Sequence, residues 1–302
     1  MSFSADTKAE LCRALFQRRC CAQEEVSGIL LYSNQFTPNI IKIVTESTDF
    51  AKRLPPLFRR AFQLEFDTLP HNSAKLAFTI SDPKKLAILW DLCGYDRISS
   101  VAHHINFAAL EESHCRQAFL RGVFLAGGSL TDPQKGYHLE LVTSHFNVSR
   151  ELTALLLDMD FSPKMITRKS NYITYFKQSE RIEEVLTVIG APIAAMAIMN
   201  AKLEKNLRNG INRQVNCDAA NVGKIVDAAQ DQILAIHRIE TTIGLDSLSE
   251  KLREVALLRK EFPELALSEL AALCNPPITK SCLNHRLRKL VDLGHPIRSD
   301  HS

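Results

Sequence analysis

The sequence predicts an α+β amino-terminal domain made of two tandem repeats, followed by an all-α carboxy-terminal domain. Both halves of the region before residue 190 show the element order α-β-α-β-β-α, and Gly28 and Gly122 lie 94 residues apart in equivalent helices. From about Ala191 onward the strand patterns stop, and every later segment has helical periodicity. A chain of 302 residues is long enough for these two domains.

The first repeat is predicted to cover about residues 22–93. One of its helices is predicted although Pro55 and Pro56 should kink or break it, and Asp82 followed by Pro83 is typical of a helix start. Turn-like residues at 70–73 separate two short strands. In chain order, the predicted elements are a helix 24–34, a strand 40–44, a helix 48–60, strands 63–66 and 76–80, and a helix 83–93.

The second repeat, predicted over about residues 114–190, has the same order. Two of its strands are predicted to form a hairpin that turns at Ser170-Asn171. The predicted elements are a helix 116–127, a strand 137–143, a helix 147–159, strands 164–168 and 172–177, and a helix 180–189. The repeated order predicts a tandem duplication within a domain that spans residues 1–192.

The remaining third of the chain is predicted to be helical. Ser247 and Glu250 have capping-box spacing, which predicts a helix start there. Glycine and proline predict breaks at 209–210, near 243–244, at 263 and at 275–277. The predicted helices are 193–207, 219–240, 248–262, 267–273 and 279–293. We expect residues 193–245 to form a helical linker and residues 246–302 a separate domain.

Composition excludes several classes of protein. With 45% apolar and 24% charged residues, the chain is not expected to be disordered. Its 37 Lys and Arg against 34 Asp and Glu give a net charge of only +3, so any nucleic-acid surface must come from local clustering. The longest weakly polar run, residues 186–199, has 14 residues, whereas a membrane span needs about 20. Charged residues at positions 6, 8, 10 and 13 leave no apolar stretch for a secretory signal, so we expect a cytoplasmic protein with no membrane partner.

Eight cysteines are scattered along the chain without a Cys-x-x-Cys pair, which predicts reduced thiols. Cys274, Cys282 and His285 fall short of the four ligands in paired spacing that a structural zinc site usually has. The sequence therefore predicts no metal site and no other cofactor.

Residues 121–129 contain glycines at a spacing similar to that of a phosphate-binding loop, but Gly128 stands where that loop needs a lysine. The segment also lies in a helix pattern, so close packing of two helices explains its small residues better. Residues 120–128 instead resemble the LAGLIDADG helix of homing endonucleases, and residues 26–34 resemble it more weakly. The resemblance implies a pseudo-twofold fold packed through two such helices at Gly28 and Gly122, although each repeat here shows one strand fewer.

The same resemblance places the family's penultimate, metal-binding acid at Ser33 and Gly127. Neither residue has a carboxylate, and metal-assisted phosphodiester hydrolysis needs carboxylates to hold Mg²⁺. Asp132 lies beyond the helix as a single unsupported acid. We therefore expect no catalytic residues and no enzymatic activity.

Residues 267–293 have the length and order of a helix-turn-helix. In its second helix, Leu283, Leu287 and Leu290 share one face and should pack on the first helix. Five basic residues stand against one acid between residues 280 and 298, which favours a DNA-contacting surface. The alternative is an amphipathic helix pair with a solvated basic face. The predicted DNA-binding residues, suited to base edges and phosphates, are Thr279, Lys280, Ser281, Asn284, His285, Arg288 and Lys289.

Two further basic stretches are candidate secondary DNA contacts. One surrounds the predicted hairpin 164–177, since a basic two-stranded ribbon can enter a major groove. The alternative for this element is a solvated charged hairpin. The predicted secondary contacts are Lys202, Lys205, Arg208, Arg213, Arg168 and Lys169.

The combination of a degenerate LAGLIDADG-like domain and a helix-turn-helix resembles the WhiA family of transcription regulators. The resemblance covers essentially the full chain and is strongest from about residue 200 to 293, through segments 213–221, 252–259, 276–281 and 284–289. It implies a bacterial DNA-binding protein linked to cell division, chromosome segregation or sporulation control. It also implies that the helix-turn-helix is the main contact with double-stranded DNA. Some members associate with the iron–sulfur regulator WhiB, so another transcription regulator is a candidate partner.

These observations lead to three hypotheses of different classes. The leading one is a non-catalytic, sequence-specific transcription regulator associated with the nucleoid. The second is a divergent site-specific endonuclease, which Ser33 and Gly127 disfavour. The third is a scaffold or ligand-sensing protein that uses the former catalytic cleft.

Overall fold

The computed structural model describes residues 2–16, 18–70, 75–95 and 102–294. The chain divides into two compact units, Met1–Asn206 and Leu207–Ser302. Among the described residues, no helix is both long enough and apolar enough to cross a lipid bilayer.

The first unit combines two antiparallel sheets with the helices of both repeats. The sheet of the first repeat has the strand order β1-β2-β3, and the sheet of the second has the order β4-β5-β7-β6. The strands are β1 (Gln35–Phe36), β2 (Ile41–Thr45), β3 (Leu76–Ile80), β4 (Gly128–Leu130), β5 (Leu139–Thr143), β6 (Lys164–Arg168) and β7 (Asn171–Phe176). The helices are α1 (Phe3–Cys12), α2 (Arg19–Leu31), α3 (Thr48–Phe62), α4 (Pro83–Leu92), α5 (Ser113–Gly127), α6 (Phe146–Asp158), α7 (Ser179–Ile189) and the first part of α8 (Pro192–Thr242).

Helices α2 and α5 pack against each other through Gly28 and Gly122, as the resemblance to the LAGLIDADG helices implies. A Cβ atom at Gly28 would lie 2.3 Å from the carbonyl oxygen of Phe119, and one at Gly122 would lie 2.1 Å from that of Glu25. Real Cβ atoms do not approach so closely, so any larger residue would force the two backbones apart. The two repeats therefore meet along a backbone-to-backbone contact that only glycine allows at these positions.

A buried ion pair ties three helices together beside this contact. The Arg53 guanidinium donates two hydrogen bonds, of 2.6 and 2.9 Å, to the Glu25 carboxylate, and both side chains are 2% exposed. Arg121 lies 3.3 Å from the same carboxylate. Arg53 also donates to the carbonyl oxygens of Cys12 and Ala14. Because the charges are paired and hydrogen-bonded, their burial is tolerated, and the end of α1 is fixed against α2 and α3.

Helix α3 runs through Pro55 and Pro56 as predicted. Each proline in a helix interior costs about 3 kcal/mol. Against this, Leu54, Leu57 and Phe58 are fully buried, and each such side chain contributes about 1.5–3 kcal/mol. Tertiary packing thus offsets the poor local propensity of this segment.

The structure differs from the predicted strands in two respects. Residues 63–66 form no strand, because Gln63 takes a left-handed conformation (φ 59°) that ends α3, and pairing is limited to a bridge between Thr68 and Thr79. Conversely, β1 and β4 were missed, since two and three residues are too short for a periodic pattern. β1 follows α2 and β4 follows α5, so each repeat has a short strand after its central helix that the sequence analysis does not predict. Most of the predicted turn at 70–73 lies outside the described residues.

The hairpin of the second repeat forms, but its turn is one residue earlier than predicted. Arg168 pairs with Asn171, so the turn residues are Lys169 and Ser170. Lys169 takes a positive φ of 54°, which is uncommon outside glycine and asparagine. The β6 strand is exposed along its whole length at the sheet edge.

Two predicted helix boundaries in the rest of the chain were also wrong. Helix α8 continues through Asn209-Gly210, because one exposed glycine costs only about 1 kcal/mol in a helix and does not end it. Ser247 is not the helix cap that its spacing predicts. It lies in a 3₁₀ turn, where its hydroxyl donates to the Gly244 carbonyl at 2.7 Å, and the following helix begins at Glu250 after Ser249.

Candidate nucleic-acid interface

The helix-turn-helix of the second unit has a compact apolar core. Its helices are α9 (Glu250–Glu261), α10 (Leu267–Ala272) and α11 (Lys280–Gly294), and the last part of α8 packs with them. Leu283, Leu287 and Leu290 of α11 are fully buried, as predicted. The other core residues are Ile236, Ile239, Val255, Ala256, Leu270, Ala271 and Cys274. Burial of this stripe fixes which face of α11 is turned outward.

Two polar groups that the sequence analysis did not single out hold the loops of this unit. Buried Arg259 donates to the carbonyl oxygens of Pro263 and Leu265, at 3.3 and 3.0 Å, and so fixes the connection between α9 and α10. The Glu254 carboxylate accepts a 2.6 Å hydrogen bond from the Asn275 backbone and lies 3.7 Å from Arg286. Arg286 therefore belongs to the support of the turn, although it counted toward the basic charge of this segment.

The outward face of α11 carries most of the predicted DNA-binding residues together. Lys280, Ser281, His285, Arg288 and Lys289 are exposed, and residue 284, the asparagine on the same face, is half-buried. Within the part of the chain that the structure describes, neither lysine nor the arginine among them forms an ion pair. Their charges are therefore available to an external anion.

Thr279 has a local structural role at the start of α11. Its hydroxyl oxygen accepts a 3.2 Å hydrogen bond from the backbone N–H of Cys282, which satisfies one of the free donors at the helix start. The same helix end carries a partial positive charge. Thr279 thus fixes the end of α11 at which Lys280 and Ser281 lie.

The predicted secondary contacts in the first unit are mostly engaged with neighbouring groups. Lys202 is hydrogen-bonded to Glu180 and lowers the pKa of that carboxyl to about 2. The Lys205 ammonium lies 5.5 Å from the centre of the Tyr137 ring. These contacts hold the beginning of α8 against the rest of the unit.

At the hairpin, Arg168 and Lys169 differ in whether their charges are close to an acidic side chain. Arg168 lies 3.7 Å from Glu140, whose carboxylate also forms a 2.6 Å hydrogen bond with His138. Lys169, at the turn, is exposed and forms no ion pair with any described residue. Arg208 and Arg213, in the second-unit part of α8, are likewise exposed and unpaired among the described residues.

Ser33 and Gly127, the two positions predicted to be degenerate catalytic sites, lie at the ends of α2 and α5. The Ser33 hydroxyl donates to the Leu30 carbonyl at 2.8 Å, so it serves the helix end. Gly127 has no space for a side chain, since a Cβ atom would lie 2.4 Å from the Tyr32 ring. A cavity of about 330 Å³ beside Ser33 is lined by Lys8, whose pKa burial lowers to about 8. Glu46 is the one carboxylate among the described residues that line it.

The structure also assembles four residues that the sequence analysis overlooked. Cys20, Cys21, His114 and Cys115 bring one ligand atom each within 4.8 Å of one another. These residues do not show Cys-x-x-Cys spacing. Within each pair the two residues are adjacent in sequence, and the two pairs are far apart along the chain. The signal that could have found them is the repeat itself, since each pair lies 94 residues from the other, as Gly28 does from Gly122.

Comparisons with known proteins agree with this architecture. The family described as the WhiA LAGLIDADG-like domain matches residues 116–208, and that described as the WhiA C-terminal HTH domain matches residues 211–293. A "Probable cell division protein WhiA" from Ruminiclostridium cellulolyticum is 38% identical over 99% of both chains. One of the same name from Alkaliphilus metalliredigens is 35% identical over 97% of this chain and 98% of its own. The crystal structure of full-length DUF199/WhiA from Thermotoga maritima matches with a TM-score of 0.61 and 24% identity, covering 97% of this chain and 98% of that one, and it shares the fold.

Proposed function

Since this chain belongs to the WhiA family, we propose that it is a non-catalytic, sequence-specific DNA-binding transcription regulator. One observation carries the proposal: the outward face of α11 presents, side by side, hydrogen-bonding side chains and cations that form no ion pair with any described residue. On a helix-turn-helix, this face enters the major groove of double-stranded DNA. The WhiA relatives are named cell division proteins, and we extend that role in cell division, with chromosome segregation or sporulation control, to this chain.

The side chains on α11 divide into two roles. Lys280, Arg288 and Lys289 neutralise phosphates, which positions the helix and supplies most of the sequence-independent affinity. Ser281 and His285 face the base edges together with half-buried Asn284. An asparagine amide can donate to and accept from adenine at the same time. Sequence preference then comes from these three residues.

The secondary contacts are proposed for the residues that remain free. Lys169 at the hairpin turn, and Arg208 and Arg213 on α8, are exposed and unpaired among the described residues. Lys202, Lys205 and Arg168 would first have to leave their present contacts. Arg208, Arg213 and Lys169 therefore take the larger share of any second DNA contact.

The absence of catalysis rests on the ends of α2 and α5. Hydrolysis of a phosphodiester with Mg²⁺ needs carboxylates placed at the reacting phosphate. The Ser33 hydroxyl donates a hydrogen bond to the carbonyl of Leu30 at the helix end, and Gly127 has no side chain. We therefore propose that the first domain acts as a scaffold or a second DNA-binding surface, and not as a nuclease.

The proposal is tested by mapping the genomic DNA that the full chain occupies after crosslinking. We expect a limited set of sites that share a sequence motif. The Asn284→Ala variant should lose this motif while it retains non-specific DNA binding, because it removes a base contact and no charge. Uniform coverage of the genome by the wild-type chain would contradict sequence-specific regulation.

A further inference from the structure

The central helices carry equivalent thiol and imidazole side chains at their amino-terminal ends. Cys20 and Cys21 are the second and third residues of α2, and His114 and Cys115 are the second and third residues of α5. The pairs are related by the same 94-residue repeat as the packing glycines. Because α2 and α5 touch through those glycines, the repeat brings the two pairs together at one end of the helix pair.

Two distances within this cluster are close to those expected between ligands of a tetrahedral metal ion. The Nδ1 atom of His114 lies 3.4 Å from the Cys21 sulfur and 3.3 Å from the Cys115 sulfur. A Zn²⁺ ion with bonds of about 2.3 Å to sulfur and about 2.0 Å to nitrogen would set these atoms about 3.5 Å apart. All four ligand atoms lie within 4.8 Å of one another.

We propose that Cys20, Cys21, His114 and Cys115 form a Zn²⁺ site that joins the two repeats. Three thiols and one imidazole are a ligand set of structural zinc sites, and thiolate ligands favour soft, thiophilic ions over Mg²⁺ or Ca²⁺. On binding, the three thiols release three protons and the metal is held as a thiolate–imidazole complex. The positive ends of α2 and α5 stabilise the thiolates.

The residues around His114 complete the site. In the structure, the Arg18 guanidinium lies 2.7 Å from Nε2 of His114, and the Glu112 carboxylate lies 4.0 Å from the same atom. Coordination through Nδ1 leaves a hydrogen on Nε2, which the guanidinium cannot accept. Exposed Arg18 therefore turns away, and Glu112 accepts the Nε2–H, the usual second partner of a metal-bound histidine.

A metal at this position has a mechanical consequence. The glycine contact joins the middle parts of α2 and α5, whereas the proposed ion would join their first turns through coordination bonds. Opening the two repeats then requires loss of the ion. The site is remote from the Ser33 and Gly127 ends of the same helices, so it is structural and not a remnant of the nuclease metal.

The full chain, produced with zinc and kept reduced, should contain one Zn²⁺ per molecule by mass spectrometry of the metal. The Cys20→Ser and Cys21→Ser variants should fall well below half of this content. Cys217→Ser, which removes an exposed cysteine on α8, is the matched control and should retain full content. A strong chelator should lower the Tm of the wild-type chain and leave that of Cys20→Ser unchanged.

Titration of the zinc-free full chain with Co²⁺ gives a readout that does not depend on stability. We expect the intense visible bands of tetrahedral Co²⁺ together with thiolate charge-transfer absorption, and their loss in the Cys20→Ser and Cys21→Ser variants. A reduced wild-type chain without these bands would overturn the proposal. So would bands of equal strength in both variants, or a disulfide within the cluster that forms in preference to metal binding.

Discussion

Gly127 is packed directly against Tyr32: a Cβ atom at Gly127 would lie 2.4 Å from Cδ1 of the tyrosine ring and 2.7 Å from the carbonyl oxygen of Val142. Tyr32 itself is buried at the end of α2. The position that carries a metal-binding acid in the resembling endonucleases is thus closed by an aromatic ring and a backbone oxygen. The packing therefore leaves no space for an acidic side chain at this position.

Restoring the acids should therefore not restore cleavage. The double variant Ser33→Asp, Gly127→Asp must displace Tyr32 or the β5 backbone, so we expect a lower Tm than that of the wild-type chain. We also expect intact plasmid after incubation with Mg²⁺ or Mn²⁺. Gly136→Asp is the matched control, since no atom lies within 4 Å of a Cβ at Gly136. Cutting at discrete sites by the double variant would show that the centre is still competent.

Alanine substitution should lower the stability of the chain at the packing glycine Gly122 and should not lower it at the exposed glycine Gly210. Gly122→Ala places a Cβ 2.1 Å from the Glu25 carbonyl oxygen, so α2 and α5 must move apart. Overpacking of this kind costs about 1–3 kcal/mol or more. Gly210→Ala lies in open space on α8 and should stabilise that helix by up to about 1 kcal/mol. Thermal unfolding should show a lower Tm for Gly122→Ala and an equal or higher Tm for Gly210→Ala. A Gly122→Ala chain as stable as the wild-type chain would refute the close contact.

The stability of the first unit should fall in mildly acidic solution because of His103. Its ring stacks on Phe36 and meets the His145 ring at 4.4 Å. Burial and the neighbouring His145 lower the pKa of His103 to about 4. In the unfolded chain this histidine takes up a proton near pH 6.5, whereas the folded state resists it. The contribution of neutral, half-buried His103 to the free energy of unfolding is therefore complete above about pH 6.5 and is lost as the pH falls toward 4.

Thermal unfolding across this range tests the assignment. His103→Phe should show a smaller decrease in Tm between pH 7 and pH 4 than the wild-type chain. His237→Phe, at an exposed position on α8, should keep the wild-type pH dependence. An unchanged profile for His103→Phe would remove His103 as the responsible group.

Fragments should reveal how much of α8 the helix-turn-helix needs. Ile236 and Ile239 of α8 are buried in its core with residues of α9 to α11. A fragment that starts at Asp246 lacks both, and loss of two such side chains costs several kcal/mol. We expect the Leu207–Ser302 fragment to unfold cooperatively and the shorter one to melt at a lower temperature or not fold. Circular dichroism against temperature distinguishes them; equal Tm values would contradict a role for α8 in this core.

Regular spacing made much of the fold predictable. The spacing of Gly28 and Gly122 indicates the repeat, and the spacing of Leu283, Leu287 and Leu290 predicts the buried face of α11. The exposed residues of that helix followed from the same periodicity. These signals are strong because each is repeated within the chain.

The failures have identifiable physical causes. The Asn209-Gly210 break was predicted from local propensity, which one exposed glycine is too weak to enforce over a long helix. The role of Thr279 as a cap and the pairing of Arg286 with Glu254 depend on tertiary neighbours. The cluster around Cys20 and His114 depends on long-range contact between repeats, which spacing within one segment cannot show.

The most direct test of the account measures DNA affinity against salt concentration for the full chain and its Lys280→Ala, Arg288→Ala double variant. Each phosphate contact contributes about 0.9 to the slope of log K against log salt. We therefore expect weaker binding and a slope reduced by about two units. Lys84→Ala, which removes an exposed charge on α4, should leave both unchanged. Wild-type affinity and slope in the double variant would contradict the assignment of α11 as the DNA-binding helix.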